Sequence, residues 1–147
     1  MRLSCRGRYA TRAMIELALH HGRKPFSLRD IEKNQGISKK YLTQLMSGLK
    51  IAGLVVVTRG KNGGYKLARH PSEITMADIL YSVEGDMSLV DCVKDVRLCY
   101  RSDECLAIPT WTKLSKVIKN YLESTTLADV VKKGILSQMS NEDDSSQ

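Results

Sequence analysis

Three of the four cysteines in this chain fall within one short segment, and thiolates are strong ligands for soft metals and metal clusters. Cys92, Cys99 and Cys105 are separated by six and five residues, a spacing that differs from the paired C-x-x-C of a zinc knuckle and disfavours zinc. Three thiolates in a loop that is followed by a helix favour an iron–sulfur cluster. The alternative is that some of these cysteines are small buried hydrophobic residues, although the loop around them is otherwise polar.

The basic residues of the first half are the second group with distinctive chemistry. Residues 1–70 carry 15 Lys and Arg against 3 Asp and Glu, a net charge of +12, whereas residues 71–147 carry 8 against 13, a net charge of −5. This division indicates that the first half faces a polyanion. Nucleic acid is favoured over a membrane, because the basic residues are not gathered on one amphipathic helix and no stretch approaches the roughly 18 apolar residues of a membrane span.

The expected compartment is the cytoplasm. The first residues are basic but lack the apolar run of a secretory signal. Thiols stay reduced in the cytoplasm, so cysteines there suggest metal or redox chemistry before structural disulfides. Enzymatic activity is disfavoured, because the chain contains no recognisable nucleophile–base set, phosphate-binding loop or hydrolytic metal motif.

Three helices are predicted to position the basic residues. Apolar residues at three- and four-residue spacings predict a helix over residues 7–21. Ser27 is a capping residue for a short helix that ends near Asn34, and Gly36 suits the tight turn that follows. Ser38 caps a third helix with an apolar stripe. A helix, a short turn containing glycine and a second helix form a helix-turn-helix.

A β-hairpin is predicted after the third helix. The β-branched run at 54–58 and the alternating run at 65–68 indicate two strands, and the Gly- and Asn-rich residues 59–64 between them indicate the turn. Such a hairpin is the wing of a winged helix-turn-helix, which we expect to span residues 1–71. The predicted fold class is therefore mainly α with a small β-hairpin wing.

The second half is predicted to contain a long helix that starts near Ala107, because Trp111, Leu114, Val117, Ile118, Tyr121 and Leu122 form an apolar stripe. The acidic C-terminus has the composition of a disordered segment. The predicted segments are a connecting helix capped by Thr75 (72–90), a cysteine-rich loop (91–106), the long helix and a short terminal helix from Leu127 to Lys133 (107–134), and a disordered acidic tail (135–147).

The candidate DNA contacts lie on the third helix and the wing. In a helix-turn-helix the second helix enters the major groove with its N-terminal residues nearest the bases. Lys39 and Lys40 can reach phosphates or guanine edges, and Gln44 can pair with adenine. The complete candidate set is Ser38, Lys39, Lys40, Tyr41, Thr43, Gln44, Arg59, Gly60 and Lys61.

Each of these residues also has an ordinary structural explanation. Ser38 can serve as a helix cap alone, the Lys39–Lys40 pair as a solvated face, and Tyr41 as part of the core. The wing glycines can serve only the turn, although this does not explain the Arg and Lys beside them. Winged helices also act as protein-binding modules, so the fold does not decide the function. The charge of +12 favours DNA.

Several motifs together resemble the iron–sulfur cluster regulators, a family of dimeric bacterial transcription factors related to nitric-oxide-sensing repressors. The motifs are MRLS (1–4), GRYA (7–10), ISKKYLTQL (37–45) and RGKNGGY (59–65), with the three-cysteine loop followed by Trp111, and the likeness covers about residues 1–135. The resemblance implies that the winged helix reads a palindromic operator, an inverted repeat in double-stranded DNA. It also implies that the long C-terminal helix forms a homodimer and that three cysteines ligate the cluster.

The chain departs from this family pattern at the expected fourth ligand. Relatives with a two-iron cluster often carry His three residues after the third cysteine, where this chain has Ile108. Other relatives use an acid from the partner's N-terminal region, where this chain has Arg8. The remaining candidates are Cys5, Glu104, His20, His21 and a bound small molecule. An additional residue also lies between the first two cysteines.

The resulting hypothesis is a homodimeric regulator whose operator binding responds to an iron–sulfur cluster on Cys92, Cys99 and Cys105, 2Fe-2S in preference to 4Fe-4S. One alternative is a cluster-free sensor in which the thiols react directly with oxidants or nitric oxide. Another is a winged-helix module that binds a metabolic enzyme.

Overall fold

The computed structural model describes residues 3–144 of the chain. Within this range most of the ordered backbone is helical, and the strands form one antiparallel pair. This architecture confirms the predicted fold class of a mainly α protein with a small hairpin. The helices are α1 (Cys5–Leu19), α2 (Leu28–Gln35), α3 (Lys39–Ile51), α4 (Met76–Glu84), α5 (Asp91–Lys94), α6 (Ile108–Ser124) and α7 (Leu127–Asp144), and the strands are β1 (Val55–Thr58) and β2 (Gly64–Leu67).

Local capping explains where the helices of the helix-turn-helix begin and end. The Ser27 hydroxyl accepts a hydrogen bond from the amide of Asp30 at the start of α2. Gly36 ends α2 with φ 63° and ψ 30°, the left-handed conformation that glycine adopts most easily. The Ser38 hydroxyl then accepts from the amide of Tyr41 at the start of α3. The predicted caps and turn are therefore confirmed.

The wing is a four-residue antiparallel ladder with the register Val55↔Leu67 to Thr58↔Gly64. It is tied to the helical part through Phe26 and Tyr65, whose backbone groups exchange two hydrogen bonds of 2.9 Å. The predicted strands agree with the observed ones to within one residue. The hairpin is therefore held against the helices from which it projects.

One hydrophobic core joins the helix-turn-helix, the wing, α4 and the start of α7. Met14, Leu42, Met46 and Ile79 are completely buried in it. Leu127, the first residue of α7, is also completely buried there. Its amide donates to the carbonyl of Ile74 at 2.8 Å, next to a bridge between Thr75 and Thr126. The chain thus returns to the N-terminal half after α6, and the segment boundaries expected at residues 71, 90 and 106 stay predictions.

The connecting helix and the long helix begin at the expected caps. Thr75 and Asp78 form a reciprocal capping box at the start of α4. Pro109 occupies the first turn of α6, where its missing donor is not needed. The segment between these helices, which shows no sequence periodicity, contains α5 and two short 3-10 turns at Val96–Leu98 and Ser102–Glu104.

The expectation of a short terminal helix and a disordered tail is wrong for residues 135–144, because α7 continues to Asp144. Thr126 and Asp129 cap its start reciprocally. Apolar side chains at Val131, Ile135 and Met139 continue the four-residue spacing past Lys133. The sequence prediction gave more weight to the acidic composition of the C-terminus than to this spacing. Residues 145–147 of the predicted tail lie outside the described residues.

Helices α6 and α7 are the longest in the described range, and neither they nor the shorter ones are apolar enough over sufficient length to cross a membrane.

Candidate nucleic-acid interface and cysteine loop

Helix α3 separates its side chains into a buried and an exposed face. Leu42, Leu45, Met46 and Leu49 are buried in the core. The opposite face exposes Lys39, Lys40, Thr43 and Gln44. Cationic and amide side chains on the exposed face of the second helix of a helix-turn-helix are suited to phosphates and base edges. The structure therefore groups most of the predicted contact residues of this helix on one surface.

Two hydroxyls of that helix are engaged within the protein. Ser38 caps α3, and the Thr43 hydroxyl donates to the carbonyl of Lys39 at 2.8 Å. The amide of Lys39 donates to the carboxylate of Glu32 on α2 at 3.1 Å, which fixes the angle between the two helices at the turn. Longer side chains, those of Lys39, Lys40 and Gln44, are consequently better placed than the hydroxyls to reach DNA. Their contacts with DNA stay a prediction.

Tyr41 lies between the core and the surface. It is half-buried, and its ring meets that of Tyr9 on α1 edge to face, with 5.7 Å between the ring centroids. The guanidinium of Arg12 in turn lies 5.6 Å from the centroid of the Tyr9 ring. Tyr41 therefore links α3 to α1 and combines a structural role with a position at the candidate interface.

The tip of the wing exposes both of its cationic residues. Arg59, Gly60 and Lys61 are exposed, and Gly60 has φ 108°, a conformation that side-chain-bearing residues rarely adopt. The amide of Gly63 donates to the carbonyl of Gly60 at 3.0 Å and closes the turn. A short, closed tip brings two positive charges to the end of a hairpin that can approach a DNA backbone.

The three loop cysteines lie on three separate local elements and are all half-buried. Cys92 lies on α5, Cys99 follows the first 3-10 turn, and Cys105 follows the second. The hydroxyl of Ser102 donates to the carbonyls of Val96 and Cys99 and holds the two turns together. Each of these residues is therefore partly exposed to solvent.

The cysteines do not form a ready-made cluster site in this conformation. Over residues 3–141, where side-chain surroundings are described, no three His, Cys, Asp or Glu side chains are close enough together to hold a metal ion. Three converging thiolates are what an iron–sulfur cluster requires. The loop would have to rearrange before it could ligate one.

The candidate fourth ligands are also dispersed. Cys5 is exposed at the start of α1, where the guanidinium of Arg8 donates to its sulfur at 3.1 Å. Ile108 starts α6 and has no ligating atom. The residue that would complete a cluster site therefore stays unassigned.

Helix α6 exposes four of the six residues of its predicted apolar stripe, and the other two, Ile118 and Leu122, are half-buried. The exposed fractions of Trp111, Leu114, Val117 and Tyr121 are 40%, 43%, 56% and 59%, and no residue of this helix is buried. An apolar stripe of this length on a solvated helix indicates an interaction surface.

Sequence reasoning missed two carboxylates that organise the N-terminal half, the buried Glu16 and the half-buried Glu84. Glu16, 6% exposed, accepts hydrogen bonds from Gln35 at 2.5 Å and Asn34 at 3.2 Å and joins α1 to α2. Glu84 at the end of α4 accepts from Ser4 and Gly7 at the start of α1. An acid beside the apolar stripe of α1 was a signal for Glu16. No local pattern signals Glu84, because its partners lie about 80 residues away.

The Rrf2 family model, described as an iron-dependent transcriptional regulator, matches residues 3–133 of the chain. Protein rrf2 of Nitratidesulfovibrio vulgaris is 36% identical over 132 residues, which are 90% of this chain and 88% of that protein. The transcriptional regulator IscR of Photorhabdus laumondii is 40% identical over 131 residues, 89% of this chain and 79% of that protein.

A solved structure is similar over nearly the same range. CymR, the global cysteine regulator of B. subtilis, superposes with a TM-score of 0.76 at 38% identity and covers 90% of this chain and 98% of its own. The family resemblance expected from the sequence motifs is confirmed, and so is the expectation of a regulator and not an enzyme. The chain belongs to the Rrf2 family of DNA-binding transcriptional regulators.

Proposed function

We propose that this regulator acts as a homodimer on an inverted-repeat operator and reads it with α3 and the wing. The observation that carries the proposal is the exposed polar face of α3 and the exposed wing tip, both within a half of the chain that has a net charge of +12. In this arrangement Lys39, Lys40 and Gln44 meet base edges or phosphates of the major groove, and Arg59 and Lys61 meet the flanking backbone or minor groove.

The DNA proposal is tested by titrating a candidate operator and a random duplex across a series of salt concentrations. Each Lys or Arg that neutralises a phosphate contributes about −0.9 to the slope of log affinity against log salt, so several contacts give a steep negative slope. Preference for the operator together with that slope supports the proposal. Equal affinity for both duplexes, or a flat slope, contradicts it and favours a protein-binding module.

Dimerisation is assigned to the apolar face of α6, defined by Trp111, Leu114, Val117 and Tyr121. Two copies that share this face each present one α3 helix, and a two-fold symmetric pair of recognition helices matches an inverted repeat with half-sites about one DNA turn apart. Full-length protein is expected to sediment as a dimer in the concentration range where it binds the operator.

The effector proposal is that Cys92, Cys99 and Cys105 hold an iron–sulfur cluster, 2Fe-2S in preference to 4Fe-4S, after the loop rearranges. It is supported by three partly exposed cysteines within 14 residues and by the iron-dependent description of the family. Anaerobically purified protein should be coloured, with iron and sulfide present in matched amounts. Loss of both in a Cys99→Ala variant supports ligation by the loop.

The dispersed thiols favour a second candidate, a sensor in which partly exposed cysteines react directly with an oxidant. The same purification distinguishes the two. Protein that stays colourless after reconstitution with iron and sulfide excludes the cluster. A reversible change of operator affinity on mild oxidation, absent when all three loop cysteines are replaced by serine, then supports the thiol sensor.

A further inference from the structure

The carboxylate of Glu84 forms an unusual joint between α4 and α1. One oxygen, Oε1, accepts hydrogen bonds from the Ser4 amide at 3.1 Å, the Ser4 hydroxyl at 2.5 Å and the Gly7 amide at 3.0 Å. These donors belong to the N-terminal turn of α1, whose amides lack partners within the helix and whose dipole favours a negative charge. The end of α4 therefore caps the start of α1.

Gly7 provides the space that this joint needs, because it has no side chain. A Cβ at this position would overlap Oε1 of Glu84 and would also press on the side chains of Leu3 at 3.1 Å and Leu80 at 3.2 Å. Gly7 is buried at the contact between α1 and α4. The close approach of the two helices therefore requires the missing side chain of Gly7, and the carboxylate of Glu84 bridges them.

The joint is connected to the cysteine loop by a few residues. Gly85 directly follows Glu84 and turns the chain with φ 75° and ψ −134°. The next residue, Asp86, forms an ion pair of 2.8 Å with Lys94 on α5, two residues after Cys92. One ion pair and one glycine thus connect α5 to Glu84.

Helix α1, on the other side of the joint, contacts α3. Two residues after Gly7, Tyr9 contacts the ring of Tyr41 on α3. Ala10, Ala13 and Met14 on the same helix are completely buried in the shared core. Helix α1 therefore supports α3 through these contacts. Contiguous packed and hydrogen-bonded contacts of this kind can carry coupling between two sites.

We propose that Glu84 is a positioning residue for DNA binding, which transmits the arrangement of α5 and the cysteine loop to α1 and so to α3. This inference rests on the proposed function, because it concerns how the cysteine loop influences operator binding. It adds a route that does not depend on whether the loop holds a cluster or reacts through its thiols.

The test is a double-mutant cycle on operator affinity with Lys94→Ala and Glu84→Met in the full-length protein. Lys94→Ala removes the ion pair with Asp86 at a solvent-exposed position, and Glu84→Met keeps an unbranched side chain of similar length while it removes the oxygen that accepts from Ser4 and Gly7. If Glu84 transmits the change, Lys94→Ala shifts the operator Kd by about threefold or more in the wild-type background and much less in the Glu84→Met background. Additive effects of the two substitutions overturn the proposal.

The matched control is Arg97→Ala, which removes another exposed cation of the same loop. Arg97 pairs with Asp95 at 2.8 Å, so this variant has the same charge change and also breaks a loop ion pair. It should leave the operator Kd unchanged in both backgrounds. A shift equal to that of Lys94→Ala would reflect net charge and would contradict a route through Asp86 and Glu84.

Amide hydrogen exchange keeps the inference testable without DNA. Lys94→Ala should speed exchange at the Gly7 amide, which donates to Glu84, and Arg97→Ala should not. Unchanged exchange at Gly7 in both variants overturns the proposal even if operator binding is normal. If the wild-type protein shows no operator preference, the proposed function fails, and the exchange result still decides whether the joint senses α5.

Discussion

At the scale of single residues, Arg59 is the clearest candidate for a DNA contact outside α3, because it is exposed at the tip of the wing beside Gly60. Arg59→Ala is expected to weaken operator binding by about 1–3 kcal/mol if the side chain reads a base, measured by fluorescence anisotropy. If the side chain contacts a phosphate, the affinity for all sequences falls, and the slope of log affinity against log salt becomes less negative by about one. Lys133→Ala, which removes the same charge from α7, is the control. Wild-type affinity of the Arg59 variant would remove Arg59 from the interface.

Asp86 provides a prediction about pH. The hydrogen bond from Lys94, followed by hydrogen bonds from Ser88, lowers the pKa of Asp86 from 3.8 to about 2. Because the pKa is lower in the folded state, the ionised pair favours folding above pH 4, and this contribution is lost as the pH falls towards 2. An NMR titration of the carboxyl carbon should show this pKa, and Lys94→Ala should raise it towards 3.8. A pKa near 3.8 in the wild-type protein would contradict the ion pair.

At the scale of secondary-structure elements, two glycines within helices have opposite roles. Gly7→Ala is expected to lower the free energy of unfolding by about 1–3 kcal/mol, because Glu84 must leave its hydrogen bonds to make room. The methyl group of Gly134→Ala on α7 would meet no atom within 4 Å. This substitution should raise the free energy of unfolding by up to about 1 kcal/mol through helix propensity. Urea denaturation measures both. Equal stabilisation by the two substitutions would show that α1 and α4 do not need the close approach at Gly7.

The elements that could be predicted from the sequence are those whose signals are local. Ser27, Ser38 and Thr75 cap their helices through residues three positions ahead, and a sequence pattern contains that information. The face of α3 follows from the helical period in the same way. The extension of α7 past Lys133 was missed, since a polar, acidic composition does not prevent a helix once Thr126 has capped its start.

The candidate sites also differ in whether local sequence could predict them. The exposed basic residues of α3 and the wing were predictable, because exposure there follows from local geometry. The arrangement of Cys92, Cys99 and Cys105 was not, because their spacing says nothing about how three short elements pack. The Glu84 joint connects residues far apart in sequence, and no property of its neighbours indicates its partner.

At the scale of the whole molecule, the apolar face of α6 leads to a prediction about assembly. Val117→Lys places a charge in the centre of this face, where the side chain is 56% exposed in the single chain, so the fold of each chain should tolerate it. We expect the dimer to dissociate and operator affinity to fall, because two linked half-sites become two separate ones. Sedimentation velocity measures the change in mass.

Thr112→Lys is the control for this prediction. Helical spacing of about 100° per residue puts Thr112 about 140° around α6 from Val117, outside the apolar face. This variant adds the same charge and should remain dimeric. A dimer that persists in Val117→Lys would assign assembly to another surface.

The position of Leu127 in the core has a consequence for synthesis on the ribosome. The core that supports α3 also includes this residue, which is made 60 residues after the wing ends at Leu67. At a translation rate of about 5–20 residues per second, roughly 3–12 s pass between synthesis of the wing and synthesis of this last core residue. The cysteine loop and α6 are translated during that interval. A partly synthesised chain therefore lacks one side chain of the core behind α3 until the segments proposed to regulate and pair it have been made.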